Sequence, residues 1–428
     1  MPAPQSSYGS GWARLLFSRE RSLASQGALF FGSLTEVGIH AEGTGPKGSS
    51  CLLRSGATGR RRIVNLSALT SPPSSSPRTP SLGAIEGAIL GTAVGDSIGL
   101  PREGLSPRRA RRLFGDDLEQ RFLLGKGFVS DDTEHTCLVA QALLRSPTDE
   151  VGFGRSLGWR LRGWLLALPA GIGFGTLRAL IKLWLGFPPH MSGVFTAGNG
   201  PAMRAPILGA CLGDTELLRR VVRVSTRITH TDPKAEEGAL AAALAAHHGA
   251  MLGASLNPSA FLDTLRSELS GEELRAALGE IGEHLARGSS PAEFAAAIGQ
   301  EKGISGYVNH TMPAVLFCWL RSPGDFERAL SDLIRLGGDA DTTGAILGGI
   351  SGAAVGSEGI PSDWVEAIGE WPRSVPWLRR LAGRLHETYA GDARPGPLPL
   401  FWPAIPLRNL MFLSVVLGHG FRRLLPPY

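Results

Sequence analysis

Two short acidic runs in this 428-residue chain carry the side chains best suited to chemistry. They are "SDDTEHT" (130–136) and "GGDADTTGAILGG" (337–349). Carboxylates this close repel one another, so such a group is stable only if cations neutralise it or some acids stay protonated. Oxygen ligands suit Mg²⁺ or Mn²⁺, and four carboxylates with a few hydroxyls suit a site for two such ions. The carboxylates are Asp131, Asp132, Asp339 and Asp341, and the nearby hydroxyls are those of Ser130, Thr133, Thr342 and Thr343.

The alternative for the first run is a helix cap. Ser130 or Asp131 would accept backbone N–H bonds at the start of the helix "EHTCLVAQALL", with Glu134 reaching back as in a capping box. A cap uses one side-chain oxygen per helix, whereas each run offers two carboxylates and hydroxyls, and the pattern occurs twice. Zinc is disfavoured because no His or Cys lies at ligand spacing, and the calcium-loop pattern of an EF-hand is absent.

The elements that would position these runs are helices. Apolar residues recur at helical spacing in segment after segment from Leu82 onward, and several segments begin with Ser, Asp or Gly in capping position. No set of alternating strands is present, so the body is predicted to be all-α. The clearest segments are "DTELLRRVVRVSTRITH", "AEEGALAAALAAHHGAML", "SGEELRAALGEIGEHLA", "SPAEFAAAIGQ" and "GDFERALSDLIRLG".

Two further helices have glycine at every fourth position, in residues 83–99 and 344–356. Each glycine inside a helix costs about 1 kcal/mol relative to alanine, so the repetition calls for a compensating close contact. A G-x-x-x-G pattern permits close helix approach and is often found in membrane dimers. Glu86 and Asp96 interrupt the first segment, which favours a tightly packed core in which these two helices are close neighbours.

The two ends of the chain differ from the body. Residues 1–80 carry nine basic and three acidic residues, so the net charge of +5 describes this leader and gives no case for nucleic-acid binding by the body. Its Ser/Pro-rich linker predicts a disordered segment without chemistry, and a transit peptide or a misassigned start are the alternatives. Residues 394–428 form a Pro-rich and apolar tail. Its segment "NLMFLSVVLGHG" is interpreted as too short to span a membrane and as a packing tail, with a membrane-surface helix as the alternative.

The four cysteines lie far apart without a C-x-x-C pair, which predicts free thiols in a reducing, cytoplasmic compartment. The motifs of P-loop enzymes, α/β-hydrolases and zinc proteases are absent. "GIGFGT" (171–176) follows a predicted helix, so a dinucleotide fold is disfavoured. It is interpreted either as an interhelical loop or as a turn whose N–H groups bind phosphate. Arg204 is interpreted as a phosphate partner or as a structural ion pair.

Five segments in order resemble the ADP-ribosylglycohydrolases, including the enzyme that reactivates dinitrogenase reductase. They are "GAILGTAVGDSIGLPREG", "SDDTEHT", "GNGPAMRAPILGA", "THTDP" and "GGDADTTGAILGGISGA". The resemblance covers about residues 83–390 and implies a catalytic domain at 81–393. It further implies a compact, orthogonal all-α bundle around a binuclear magnesium or manganese centre. The activity it implies is metal-dependent hydrolysis of the bond between ADP-ribose and an acceptor, which is an ADP-ribosylated protein or small molecule.

The resemblance also implies roles for individual residues. The positions that match metal ligands of the family are Ser130, Asp131, Asp132, Asp339, Asp341 and Thr342, with Asp131 and Asp132 also counted as catalytic. Glu103 matches the acid that acts near the scissile bond. Two divalent ions could bind ribose hydroxyls and lower the pKa of a bridging water while this carboxylate moves protons. The positions that match the substrate pocket are Gly171, Gly173, Gly175, Asn199, Gly200 and His230.

Two other functions are alternatives. One is a non-catalytic ADP-ribose-binding or structural protein of the same fold, although every acid of the metal motif is present. The other is a helical, Mg²⁺-dependent isoprenoid synthase, whose D-D-x-x-D spacing fails because position 135 is His.

Overall fold

The computed structural model describes residues 79–391 and 393–426, and the backbone of residues 50–52 and 63–65. The chain divides into two compact units, Met1–Ser75 and Ser76–Tyr428. In the first unit, strands β1 (Ser50–Leu52) and β2 (Ile63–Asn65) pair antiparallel. The sequence did not reveal them because three residues are too few for alternation to show. The other expectations for residues 1–78 lie outside the described residues.

In its described residues the second unit is built from α-helices, as predicted, joined by loops and three short 3₁₀ turns. Its first ten helices are α1 (Leu82–Gly99), α2 (Pro107–Phe114), α3 (Asp131–Arg145), α4 (Glu150–Leu166), α5 (Phe174–Trp184), α6 (Pro189–Ser192), α7 (Gly200–Met203), α8 (Pro206–Cys211), α9 (Thr215–Arg227) and α10 (Pro233–Leu252). The remaining nine are α11 (Pro258–Glu268), α12 (Glu272–Ala286), α13 (Pro291–Ala297), α14 (Val308–Arg321), α15 (Phe326–Ile334), α16 (Ala340–Val355), α17 (Ser362–Glu366), α18 (Val375–Ala390) and α19 (Ala404–Arg423).

Helix caps account for several of these boundaries. The side chains of Asp214 and Asp325 accept backbone N–H bonds at the starts of α9 and α15, and Ser290 with Glu293 forms a capping box at α13. Each satisfies donors that the first helical turn leaves without a partner. The predicted helices therefore begin close to where their capping residues indicated.

The two glycine-rich helices α1 and α16 lie antiparallel in direct backbone contact, which confirms the prediction that they are neighbours. A Cβ atom added at Gly91 would lie 2.1 Å from the carbonyl oxygen of Gly348, and one at Gly95 would lie 2.0 Å from that of Gly344. At the end of this glycine seam, Gly99 packs against the carbonyl of Ala340. The seam therefore sets the start of α16 beside the end of α1.

Helix α19 is longer than the apolar segment from which the tail was interpreted. By length and composition it could cross a membrane, and it is the one such helix among the described residues. The expectation that the tail is too short to span was therefore wrong on length, because the helix begins at Ala404 and ends at Arg423. The inner face of α19 packs on the body, where Arg408, Asn409 and Phe412 are buried.

A buried ionic cluster fastens α19 and the loop before α18 to the start of α3. Arg408 pairs with Glu370, its Nε lying 3.0 Å from Glu370 Oε1, and also donates to the carbonyl of Val129. Arg373 pairs with Glu134 at 2.6 Å. The bond from Arg408 to Val129 holds the backbone just before Ser130. Removing one partner of the cluster would leave a buried charge unpaired, which is strongly unfavourable.

Candidate active site

The structure brings the two acidic runs together at the junction of α1, α3 and α16. Ser130 caps α3, and its hydroxyl donates to Asp132 Oδ2 at 2.8 Å. From the second run, Thr342 Oγ1 donates to the same oxygen at 3.3 Å. Asp339 occupies the N-cap position of α16, yet its side chain makes no capping bond. The helix-cap interpretation therefore holds for Ser130 and does not account for the carboxylates.

Asp96, near the end of α1, accepts hydrogen bonds from the first acidic run and holds it in place. Its carboxylate accepts hydrogen bonds from Ser130 N at 2.9 Å and from Thr133 Oγ1 at 2.6 Å. Burial raises the pKa of Asp96 to about 7, and the bonds from Thr133 and Ser130 oppose that rise. Sequence reasoning treated Asp96 only as an interruption of an apolar helix. A lone acid in such a helix is the signal that could have identified it.

Asn199 connects the second run to a neighbouring loop. Its Nδ2 donates to Asp339 Oδ2 at 2.6 Å and to Thr311 Oγ1 at 3.0 Å. A Cβ atom at Gly306 would lie 3.2 Å from that same aspartate oxygen. The loop before α14 and the first turn of that helix therefore line the site, which the sequence did not indicate because this segment carries no acidic or glycine-rich motif.

The grouped carboxylates raise one another's pKa. Burial is the main cause for Asp131, Asp132, Asp339 and Asp341. For Asp132 the charges of Asp131, Asp96 and Asp339 raise the pKa further, and for Asp341 those of Glu103 and Asp339 do so. Because Asp339 of the second run raises the pKa of Asp132 of the first, the two runs share one electrostatic environment.

Glu103 lies at the entrance of this group. The bond from Gly104 N to the carbonyl of Gly338, at 2.7 Å, holds its loop next to Asp339. The residue reaches solvent, but the protein surrounding its carboxylate and the charge of Asp339 raise its pKa, while Arg423 at the end of α19 lowers it. Arg423 lies in the tail, where sequence reasoning placed no functional residue.

Two buried oxygens test whether these residues fit a metal ion. Asp132 Oδ1 and Asp341 Oδ1 are buried and have no hydrogen-bond partner. A buried carboxylate oxygen without a partner is unfavourable, so both call for a cation or a proton. Among the described residues, no three His, Cys, Asp or Glu side chains are arranged to hold one ion. The two partnerless oxygens come from one carboxylate of each run, and the hydroxyls of Ser130 and Thr342 lie beside Asp132, so the oxygen donors present are of the kind that suits a hard divalent cation.

The predicted substrate-pocket residues form a second group around His230. Cβ atoms added at Gly175, Gly198 and Gly200 would lie 3.2–3.5 Å from its ring. The ring is nearly buried, and burial together with the charge of Arg204 lowers its pKa to about 3, so it is neutral at physiological pH. Its Nδ1 lies 2.9 Å from Thr229 Oγ1, which leaves Nε2 toward the glycines.

The structure separates the remaining predicted pocket residues into two kinds. Asn199 and Gly200 join the two groups, since Asn199 bonds to Asp339 and Gly200 packs on His230. Gly171 and Gly173 lie in the exposed loop before α5, where nothing would contact an added Cβ closer than 4.0 Å. Gly171 has a φ of +80°, a conformation that favours glycine.

Two side-chain interpretations are corrected by the structure. Glu134 does not reach back to complete a capping box, because its carboxylate pairs with Arg373 and accepts a bond from Trp164. Burial alone would raise its pKa, but the charges of Arg373 and Arg408 outweigh burial and lower it. Arg204 is fully buried and donates to Ser225, Thr229 and His135, so it is neither exposed to a phosphate nor part of an ion pair.

Comparison with known proteins settles the family. A model of the ADP-ribosylglycohydrolase family matches residues 78–395. The chain belongs to that family. This membership places it among the glycosidase-type hydrolases of ADP-ribose linkages and decides against an isoprenoid synthase.

Several relatives agree over most of the chain. An uncharacterised Archaeoglobus fulgidus protein is 30% identical over 70% of this chain and 95% of its own length. The ADP-ribosyl-[dinitrogen reductase] glycohydrolase of Rhodospirillum rubrum is 29% identical over 69% of this chain and 96% of its own. A solved chain from an ADP-ribosylglycohydrolase-related protein complex is 28% identical, with a TM-score of 0.55, and covers 72% of this chain and 98% of its own.

Proposed function

We propose that this protein is a divalent-metal-dependent hydrolase that cleaves the glycosidic bond between ADP-ribose and its acceptor. The observation that carries the metal dependence is the meeting of two acidic runs around the partnerless oxygens Asp132 Oδ1 and Asp341 Oδ1. Family membership supplies the reaction class. We propose two Mg²⁺ or Mn²⁺ ions as cofactors.

The proposed ligands come from both acidic runs. When bound, such ions would hold ribose hydroxyls and lower the pKa of a water molecule. Within the chain, Asp96 fixes the first run through Ser130 and Thr133, and Asn199 orients Asp339 through its 2.6 Å bond. The full ligand set is Ser130, Asp131, Asp132, Asp339, Asp341 and Thr342.

Glu103 is proposed to move the proton. Hydrolysis at the anomeric carbon takes a proton from water and returns one to the departing acceptor. Glu103 lies beside Asp339 at the entrance, reaches solvent, and has a raised pKa that keeps it protonated to higher pH than an ordinary glutamate. That combination suits an acid that exchanges protons with both water and substrate.

The glycine-rich group is proposed to hold the rest of ADP-ribose. The loop around Gly171 and Gly173 precedes the N-terminus of α5, an eleven-residue helix whose free N–H groups suit a diphosphate. His230, being neutral, can exchange a hydrogen bond with a hydroxyl without adding charge. The small residues around its ring leave room for a ligand beside it.

The acceptor is proposed to be an ADP-ribosylated protein or small-molecule conjugate in the cytoplasm. A similar protein from Pseudomonas putida, 27% identical over 72% of this chain and 79% of its own length, is an ADP-ribosylarginine hydrolase. The Rhodospirillum rubrum relative is named for ADP-ribosylated dinitrogen reductase.

Release of ADP-ribose from a panel of acceptors tests this proposal. The full chain should release ADP-ribose from at least one ADP-ribosyl-arginine, ADP-ribosyl-serine or small-molecule conjugate in Mg²⁺ or Mn²⁺. A chelator should abolish release, and added metal should restore it. Tight ADP-ribose binding with no release from any acceptor would instead favour the binding-protein alternative, and release unaffected by chelator would contradict the metal dependence.

A further inference from the structure

Helix α19 leaves one apolar stripe exposed along its length. Leu410, Leu417 and Phe421 are 63%, 53% and 69% exposed, and Leu407 and Leu424 extend the stripe toward either end. Their spacing of three, four and seven residues places them on one helix face. A contiguous apolar surface of this kind on a folded body usually marks an interaction site.

The charged side chains of α19 and α2 are all arginines. Residues 394–428 contain four arginines and no acid, and α2, of sequence "PRRARRLF", contains four more arginines and no acid. Arg109 of α2 donates to the backbone carbonyl of Arg423, so the basic helix lies against the C-terminal end of the stripe. At the other end, Phe401 and Trp402 are exposed.

This combination fits an anionic lipid surface better than a second copy of the chain. Paired amphipathic helices are usually matched by opposite charges beside the apolar seam, and α19 has no carboxylate to offer. A membrane interface would cover the apolar stripe with acyl chains and attract the arginines through its headgroup phosphates. Exposed Trp also favours that boundary.

The inner face of α19 shows that the helix would lie on the membrane and not cross it. Arg408 is paired with buried Glu370, Asn409 Nδ2 donates to the carbonyl of Ala167 at 2.7 Å, and His419 lies 2.8 Å from the carbonyl of Phe122. Crossing would break these bonds and leave Glu370 as a buried, unpaired charge, which is strongly unfavourable.

From these contacts we infer that α19, with the arginines of α2, is a docking surface for membranes that carry anionic lipid. Arg423 at the end of the helix donates to the carbonyl of Pro101 at 3.2 Å, two residues before Glu103, so docking holds the candidate site near the membrane surface. This surface is independent of the hydrolase activity and is tested without it.

Vesicle sedimentation of the full chain measures the docking directly. We expect binding to vesicles of phosphatidylcholine with about one-third phosphatidylserine, and much weaker binding to pure phosphatidylcholine. The triple change Leu410→Ser, Leu417→Ser and Phe421→Ser should lower the affinity by at least about tenfold. Arg108→Gln and Arg422→Gln should each lower it by about fivefold and reduce its salt dependence.

The matched control removes three exposed apolar side chains from other helices and their ends, Val151→Ser, Leu185→Ser and Leu252→Ser. This control should bind vesicles like the wild-type chain, and thermal unfolding checks that both triple variants are folded. Undiminished binding by the α19 variant would overturn the inference. So would resistance to alkaline carbonate, which would show a spanning helix, or absent vesicle binding with self-association that the α19 changes abolish.

Discussion

Opposing electrostatic effects act on the pKa of Glu103. The protein around its carboxylate and the charge of Asp339 raise the pKa, and Arg423 lowers it. A carboxyl group with a raised pKa stays protonated to higher pH than an ordinary glutamate and can donate a proton to a departing group, and it loses that ability once the pH exceeds its pKa. Among the described residues Glu103 has no hydrogen bond to the proposed metal ligands, so the proposal predicts that its substitution leaves metal binding in place.

Glu103→Gln should therefore reduce hydrolysis by about 10²- to 10⁴-fold while metal binding persists. The fall of kcat at alkaline pH should also disappear, because the variant has no proton to lose. Steady-state kinetics across pH and a metal titration measure both effects. Glu119→Gln, a surface change next to Arg121, is the control, and equal activity in both variants would remove Glu103 from the mechanism.

His230 makes a prediction about stability in acid. Its folded-state pKa of about 3 lies below the ordinary value of 6.5, so the unfolded chain binds its proton first. The stability that neutral His230 contributes is complete above about pH 6.5. It falls by about 1.4 kcal/mol per pH unit as the pH drops toward 3.

The change His230→Gln should remove this dependence. The free energy of unfolding of the variant, relative to wild type, should rise steadily as the pH falls from about 7 to about 4. Urea unfolding at several pH values measures it, with the exposed His190→Gln as control. A difference between wild type and His230→Gln that does not vary with pH would contradict the buried, neutral ring.

At the scale of elements, the glycine seam of α1 and α16 determines the position of the candidate site. Because the helices run antiparallel in backbone contact, Asp96 near the end of α1 comes close to the start of α16, where Asp341 lies. Helix α19, outside the family match, adds Arg408 beneath the first acidic run and Arg423 beside Glu103. The site is thus assembled by helices distant in sequence.

Glycine-to-alanine substitution should have opposite effects on stability in the seam and at an ordinary helical glycine. Gly91→Ala puts a methyl group 2.1 Å from a backbone carbonyl oxygen, so it should destabilise the fold by more than about 1–3 kcal/mol. Gly279→Ala in α12 meets nothing within 4 Å and should stabilise it by up to about 1 kcal/mol. Chemical denaturation of both variants gives the two values, and similar effects in the two would contradict close packing at the seam.

At the scale of the whole molecule, the sequence predicted the features that depend on residues close together in the chain. Helical spacing and capping residues predicted α9, α13 and α15, and the repeated glycines predicted the neighbouring α1 and α16. The three cysteines in the described residues are free and buried, as the missing C-x-x-C pattern indicated.

What the sequence did not predict depends on contacts between distant segments. Asp96 is important because Ser130 and Thr133 come to lie above it, and Gly306 because Asp339 approaches it. Arg423 reaches Glu103 only through the docking of α19. Helical periodicity reports which face of a helix is buried, and it does not report which partner covers that face.

Mn²⁺ binding, followed by electron paramagnetic resonance, tests whether the two acidic runs form one divalent-cation site. Asp132→Asn and Asp341→Asn each change one run, and Asp116→Asn is an exposed control. If the runs act together, each of the first two changes alone should weaken Mn²⁺ binding by at least about tenfold, since each removes a charged ligand. The control should bind like the wild-type chain. Wild-type Mn²⁺ affinity in either Asp132→Asn or Asp341→Asn would show that the two runs do not share a metal site.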